Sequence, residues 1–337
     1  MSYTLCDNRS RGTTVEFVGF RLANSREEAT LEMFGKAAKD IVADATTKIV
    51  VRLGLDKELA VMPKKIVVER QYSIEREYNW SFGEYDCLYK DMKLNEELFL
   101  EYCGMTTPAV KNEYRFSLRE VAMHESVHAI MDYAVAERER WLRDHGTHEW
   151  LVETRAQEAV ATLVTLVVEE TGIDRIVDLI RFCQKRALDE VDNKGSIMNS
   201  GSLRMATGYL LGALSALDIR RLNWDEQAKI AKSFVLGNDS YKMLMQLEQR
   251  AKRGIEVFSK LNPTEPINFI SLKEELGLMN YNYGQGKLGI EDLRKLCRTN
   301  RPRPGTAIDL LRRANVLIGG DLFDNEIRSI EERRIKV

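Results

Sequence analysis

Residues 124–128 read His-Glu-Ser-Val-His. Two imidazoles four positions apart leave a helix from one face and can grip one divalent cation. The glutamate beside the first can serve as base toward a water that the cation activates. The chain holds 4 histidines, His124, His128, His145 and His148, all within one short stretch. This HExxH run makes His124 and His128 candidate metal ligands and Glu125 a candidate general base. The competing reading is an amphipathic helix that merely displays two surface histidines at i, i+4.

The flanking residues supply the helix the motif needs. Ser117-Leu-Arg-Glu120 is a capping-box pattern, with the serine positioned to bond the N3 amide and the glutamate to reach back. Leu118, Val121, Ala122, Val127, Ala129, Ile130 and Ala134 provide apolar cover, and Glu137 to Arg140 make a polar exit. No proline or glycine interrupts 117–144, so the pattern predicts a helix from about Leu118 to about Trp141. The motif then lies in its first half.

A catalytic zinc site takes three protein ligands and keeps a fourth position open. Downstream, His148-Glu-Trp-Leu-Val-Glu153-Thr-Arg-Ala156 opens a second helical pattern. HExxH followed by Trp-Leu-x-Glu-x-x-Ala resembles the gluzincin branch of the zincin metallopeptidases. The resemblance implies Zn²⁺ as cofactor and peptide-bond hydrolysis as activity. It implies His124, His128 and Glu153 as metal ligands, Glu125 as general base, and Ala156 as the small residue that lets two helices approach. Thr154 stands where many gluzincins have glycine. Other third ligands remain open. Glu149 precedes Glu153 by one turn, and in that register Glu149 binds the metal while Glu153 orients a histidine. His148 and Glu158 complete the alternatives, with Glu158 reading more as a solvated or outer group. An oxyanion donor is also expected, for which His145, His148 and Tyr209 are candidates. A tyrosine on an apolar helix is more often a core residue with a satisfied hydroxyl.

Composition bounds the remainder. A chain of 337 residues, 44% hydrophobic and 30% charged, can bury a large core. Its net charge of −2 predicts no general attraction to nucleic acid or membrane. The N-terminus lacks a long apolar stretch of the leader kind, and the 5 cysteines form no close pair. A cytoplasmic protein with reduced thiols is expected.

Elsewhere, Ser25 to Glu28 starts a long helix with apolar positions at Leu31, Phe34, Ala38, Ile41, Val42, Ala45 and Ile49. Strands are expected at 65–70 and at 85–94, then a short helix from Asn95 through Tyr102. The second of these strands is expected close to the cleft, by likeness to the edge strand of the small zincin sheet. Helical patterns follow over 149–170, 173–191, 202–219, 224–236 and 239–260. Gly208, Gly212, Ala213 and Ala216 suggest unusually close packing of one of them. Pro263 and Pro266 mark a boundary. The expectation is an α+β, zincin-like domain over 1–262 with a largely helical C-terminal half, and a small helical appendage over 263–337. Gly284 to Gly289 reads as a loop lacking phosphate-loop spacing, and Arg298 to Pro304 as a basic stretch. The appendage is a candidate docking segment for a protein partner. Two other functions stay open: a binding or assembly protein with a structural metal, and a nucleic-acid-associated protein that uses the basic tail.

Overall fold

Every second residue of the central strands is buried, and those residues line up across the sheet. Val15, Ile66 and Met92 form one row, Phe17, Val68 and Leu94 the next, all fully buried. Val67, on the opposite face, is buried as well; otherwise this is the period-two pattern of a sheet with one face on a core. The computed structural model describes residues 2–5, 12–18, 27–69, 83–86, 89–105, 116–134, 147–192, 200–237, 240–265, 267 and 328.

Among the described residues, five strands are ordered β1-β2-β3-β5-β4. They are β1 (Ser2–Leu5), β2 (Thr14–Val18), β3 (Lys65–Glu69), β4 (Gly83–Asp86) and β5 (Asp91–Asn95). β2, β3 and β5 run parallel, and β1 and β4 pair antiparallel at the two edges. Helix α1 (Glu27–Arg52) joins the parallel neighbours β2 and β3 as a crossover. All seven of its expected apolar positions are buried. Phe34 of α1 meets Phe17 of β2 and Phe99 of α2 (Glu96–Tyr102), with ring centroids 5.6–6.3 Å apart. The other sheet face carries charge, where Lys65 pairs with Glu16 and Lys93 with Glu84, each at 2.8 Å.

The segment read as one strand over 85–94 is instead a hairpin, β4 and β5, and Asn95 caps α2 by accepting from Glu97 and Leu98 N–H. The reversal uses Lys90 at φ 60°, a conformation usually left to glycine or asparagine. Lys90 N–H donates to Asp86 O at 2.7 Å. Its ammonium pairs with Asp132 of the HExxH helix, and Tyr85 donates to the same carboxylate at 3.1 Å. The hairpin is thereby tied to the helix beneath it.

The helical part comprises α3 (Leu118–Ala134), α4 (Thr147–Val168), α5 (Ile173–Asp192), α6 (Ser200–Ile219), α7 (Trp224–Val235) and α8 (Ser240–Leu261). α3 is buried on nearly all sides, and so is α4 from Arg155 onward. They are central helices, covered by others. Gly212 on α6 faces the Ala159 carbonyl and Thr162 of α4 so closely that a Cβ would collide with both. The chain divides into two compact units, 1–182 with 208–264, and 183–207 with 265–337. Among the described residues no helix is long and apolar enough to cross a membrane. The loop over 284–289 and the basic stretch over 298–304 lie outside the described residues.

Candidate metal centre

Helix α3 begins where its sequence specifies. Glu120 N–H donates to Ser117 Oγ at 3.2 Å, and Ser117 N–H donates to Glu120 Oε2 at 2.8 Å. This reciprocal pair satisfies two amides at the helix start. Arg175 of α5 holds the same carboxylate with Nε at 2.9 Å and Nη2 at 2.6 Å. On the side of α3 facing α1, Thr46 Oγ1 lies 3.1 Å from Ser126 Oγ, so a buried hydroxyl pair fixes the two helices in register.

Four residues apart on that helix, His124 and His128 bring their Nε2 atoms to 3.1 Å. Glu158 Oε2, from the middle of α4, lies 3.0 Å from His124 Nε2 and 3.6 Å from His128 Nε2. Tetrahedral zinc, with bonds of about 2.0–2.1 Å, separates its ligand atoms by about 3.3–3.4 Å. The three observed separations bracket that value. Two ring nitrogens this close cannot both present lone pairs to each other without a proton or a cation between them. The donor set, two imidazoles and a carboxylate, is one that suits Zn²⁺.

Electrostatics support the same arrangement. Burial by itself would raise the Glu158 carboxyl. The charge of His128 and hydrogen bonds from both imidazoles outweigh that, and hold it well below the usual carboxylate range. Glu158 is therefore anionic at neutral pH, the form that binds metal. Glu125 behaves oppositely. Burial pushes its carboxyl up, His124 and His128 draw it partly back, and Glu158 and Glu84 add to the rise. Two carboxylates beside one imidazole pair are thus driven apart, one toward a ligand and one toward a proton acceptor.

Glycines let backbone come close on two sides. A Cβ on Gly83, the first residue of edge strand β4, would lie 2.5 Å from Val121 Cγ1 and 3.0 Å from Glu125 Cγ. A Cβ on Gly208 of α6 would lie 2.6 Å from Glu158 Cβ. Next to Gly208, the buried Tyr209 sets its ring edge-on to His124, with centroids 5.1 Å apart at 89°. The ring of Phe116 also packs on Tyr209, with centroids 6.0 Å apart at 59°.

The structure thus brings Glu158 to His124 and His128 and sets the ring of Tyr209, one of three oxyanion candidates, against His124. Glu153, His148 and Glu149 lie in the first turns of α4, and their side chains are outside the described residues, as is His145 altogether. Among the described residues, His124, His128 and Glu158 are the group that could hold a metal ion. A signal for Glu158 did exist in the sequence. It is the lone acid in a run from Ala156 to Val168 that is otherwise apolar or hydroxylic save Gln157. A carboxylate buried there must find a partner.

No family model, no curated protein and no solved structure matches this chain. The site therefore stands on its own geometry.

Proposed function

We propose that this chain is a zincin-like, zinc-dependent hydrolase of peptide bonds, with His124, His128 and Glu158 as metal ligands and Glu125 as general base. One observation carries the proposal: three donor atoms converge at 3.0–3.6 Å beside a buried glutamate on the same helix. Further support comes from the small mixed sheet, whose edge strand β4 lies against Glu125.

When bound, Zn²⁺ supplies Lewis acidity that acidifies water and polarises a carbonyl. The protein groups do the rest. Both imidazoles bind as neutral rings, and the Glu158 anion offsets part of the metal charge. Glu125 takes a proton from the water that attacks the peptide carbon, then delivers it to the departing amine nitrogen. A C–O bond forms, the C–N bond breaks, and the carboxylate ends as it began. Tyr209, held against His124, is the candidate hydroxyl donor to the developing oxyanion. A cytoplasmic location belongs to the same proposal, supported by free thiols at Cys103 and Cys183.

The decisive variant is Glu125→Gln, assayed for zinc content and for cleavage of a quenched fluorescent casein. Zinc should stay bound while cleavage falls by about 100- to 10,000-fold, the usual worth of a general base. Unchanged cleavage refutes the assignment of Glu125, and a wild-type chain that binds no zinc refutes the site. Zinc bound by a wild-type chain that cleaves nothing would favour a structural metal in an assembly protein.

A further inference from the structure

Three arginines converge on one buried carboxylate at the end of α6, away from the HExxH motif in sequence. Asp218 has a side chain only 2% exposed. Its Oδ1 accepts from Arg221 Nη2 at 2.9 Å, and its Oδ2 accepts from Arg250 Nη1 at 3.3 Å and Arg253 Nη2 at 3.1 Å. Arg253 Nε also lies 3.3 Å from both oxygens. A tether between α6 and α8 needs one such pair; this cluster holds three cations for one anion. The carbonyl end of α6 contributes roughly half a negative charge, so among the described residues more than one positive charge remains uncompensated. Nearby Arg220 is differently engaged, donating to Leu166 O at 2.9 Å and Gln227 Oε1 at 3.2 Å.

The surplus faces solvent. Side-chain exposure is 59% for Arg221, 42% for Arg253 and 22% for Arg250. Among the described residues, none of the three has an acidic partner other than Asp218. Each guanidinium has five N–H donors in a fixed fork, and most of these are not used on Asp218. Burial holds Arg250 below the usual guanidinium range, and the charges of Arg253 and Arg221 push it the same way against the pull of Asp218. The arginines therefore repel one another, a repulsion that a second anion would relieve.

We propose that Arg221, Arg250 and Arg253 form a binding site for a phosphate group carried by a small molecule, with Asp218 fixing the spacing of the three forks. Planar guanidiniums match tetrahedral oxyanions through paired hydrogen bonds, and a dianion matches the uncompensated charge. A net charge of −2 over the chain argues against a polyanion-coating surface. This inference is independent of the metal centre.

Pyrophosphate and inorganic phosphate are titrated calorimetrically into the full-length protein, the Arg221→Gln and Arg253→Gln variants, and the double variant. Both substitutions are at exposed side chains, and circular dichroism checks the fold. Wild type should bind pyrophosphate, and each single change should weaken it by roughly 10- to 100-fold, the worth of a hydrogen bond to a charged group. No binding by wild type at millimolar pyrophosphate overturns the proposal. So does equal binding by the double variant, or by Arg221→Gln should the double variant fail to fold. A single-stranded oligonucleotide that binds more tightly than pyrophosphate and depends on the same arginines would overturn the small-molecule assignment.

Discussion

Replacing Glu158 by glutamine tests the proposed metal centre most directly, because it keeps shape and removes charge. The carboxylate stands 3.0 and 3.6 Å from the two imidazole nitrogens, at ligand spacing for one ion. Losing a group that merely orients a ligand typically costs about 10- to 100-fold in metal affinity. Losing the ligand itself should exceed that range, so we expect at least ~100-fold, about 2.7 kcal/mol. Glu153 stands five residues earlier on the same helix, about 140° round and about 7.5 Å back along the axis. Glu153→Gln should therefore change affinity by less than roughly 3-fold, a small effect on this scale. The assay is competition for zinc against a chromophoric chelator, with each variant's fold checked by circular dichroism. Full affinity in Glu158→Gln, with a large loss in Glu153→Gln, would refute the ligand set and restore the one implied by the Trp-Leu-x-Glu segment.

Gly83→Ala would put a methyl 2.5 Å from Val121 Cγ1 and 3.0 Å from Glu125 Cγ; casein cleavage should fall by about 100-fold with zinc affinity retained, as expected for a base moved by ~1 Å. Phe99→Ala opens a hole between Phe17 and Phe34, and urea unfolding should show a loss of about 3–5 kcal/mol. Burial pushes the Cys183 thiol up, so the folded chain keeps a proton that the unfolded chain loses above about pH 8.5–9. Stability should accordingly fall as pH rises through that value, by about 2 kcal/mol at pH ~10.5. The fall is measured as the difference in urea midpoint slope between wild type and Cys183→Ala, and equal slopes would count against it.

Some of this architecture is readable from local chemistry alone. The cap at Ser117, the long helix after residue 26 and the helix after Asn95 depend on neighbours a few positions away, and each forms. The hairpin over 83–95 was less visible, because its turn uses Lys90 at positive φ with no glycine or asparagine to announce it. Choosing among Glu149, Glu153 and Glu158 could not be done locally either. All three occupy one helix, and which of them meets the imidazoles depends on how α4 crosses α3. That crossing is fixed by distant contacts, among them the close seat of Gly208 and Gly212 of α6 on α4.

The clamp at Glu120 has a consequence for genetics. One carboxylate both starts α3 and receives two hydrogen bonds from Arg175. Losing Arg175 would loosen the first turn of α3, and the imbalance would travel along the rod to the paired rings one turn further on. A mutational screen for loss of the proposed activity would then flag an arginine outside the candidate metal group. Its defect should be rescued by cooling or excess metal, whereas that of a true participant would not.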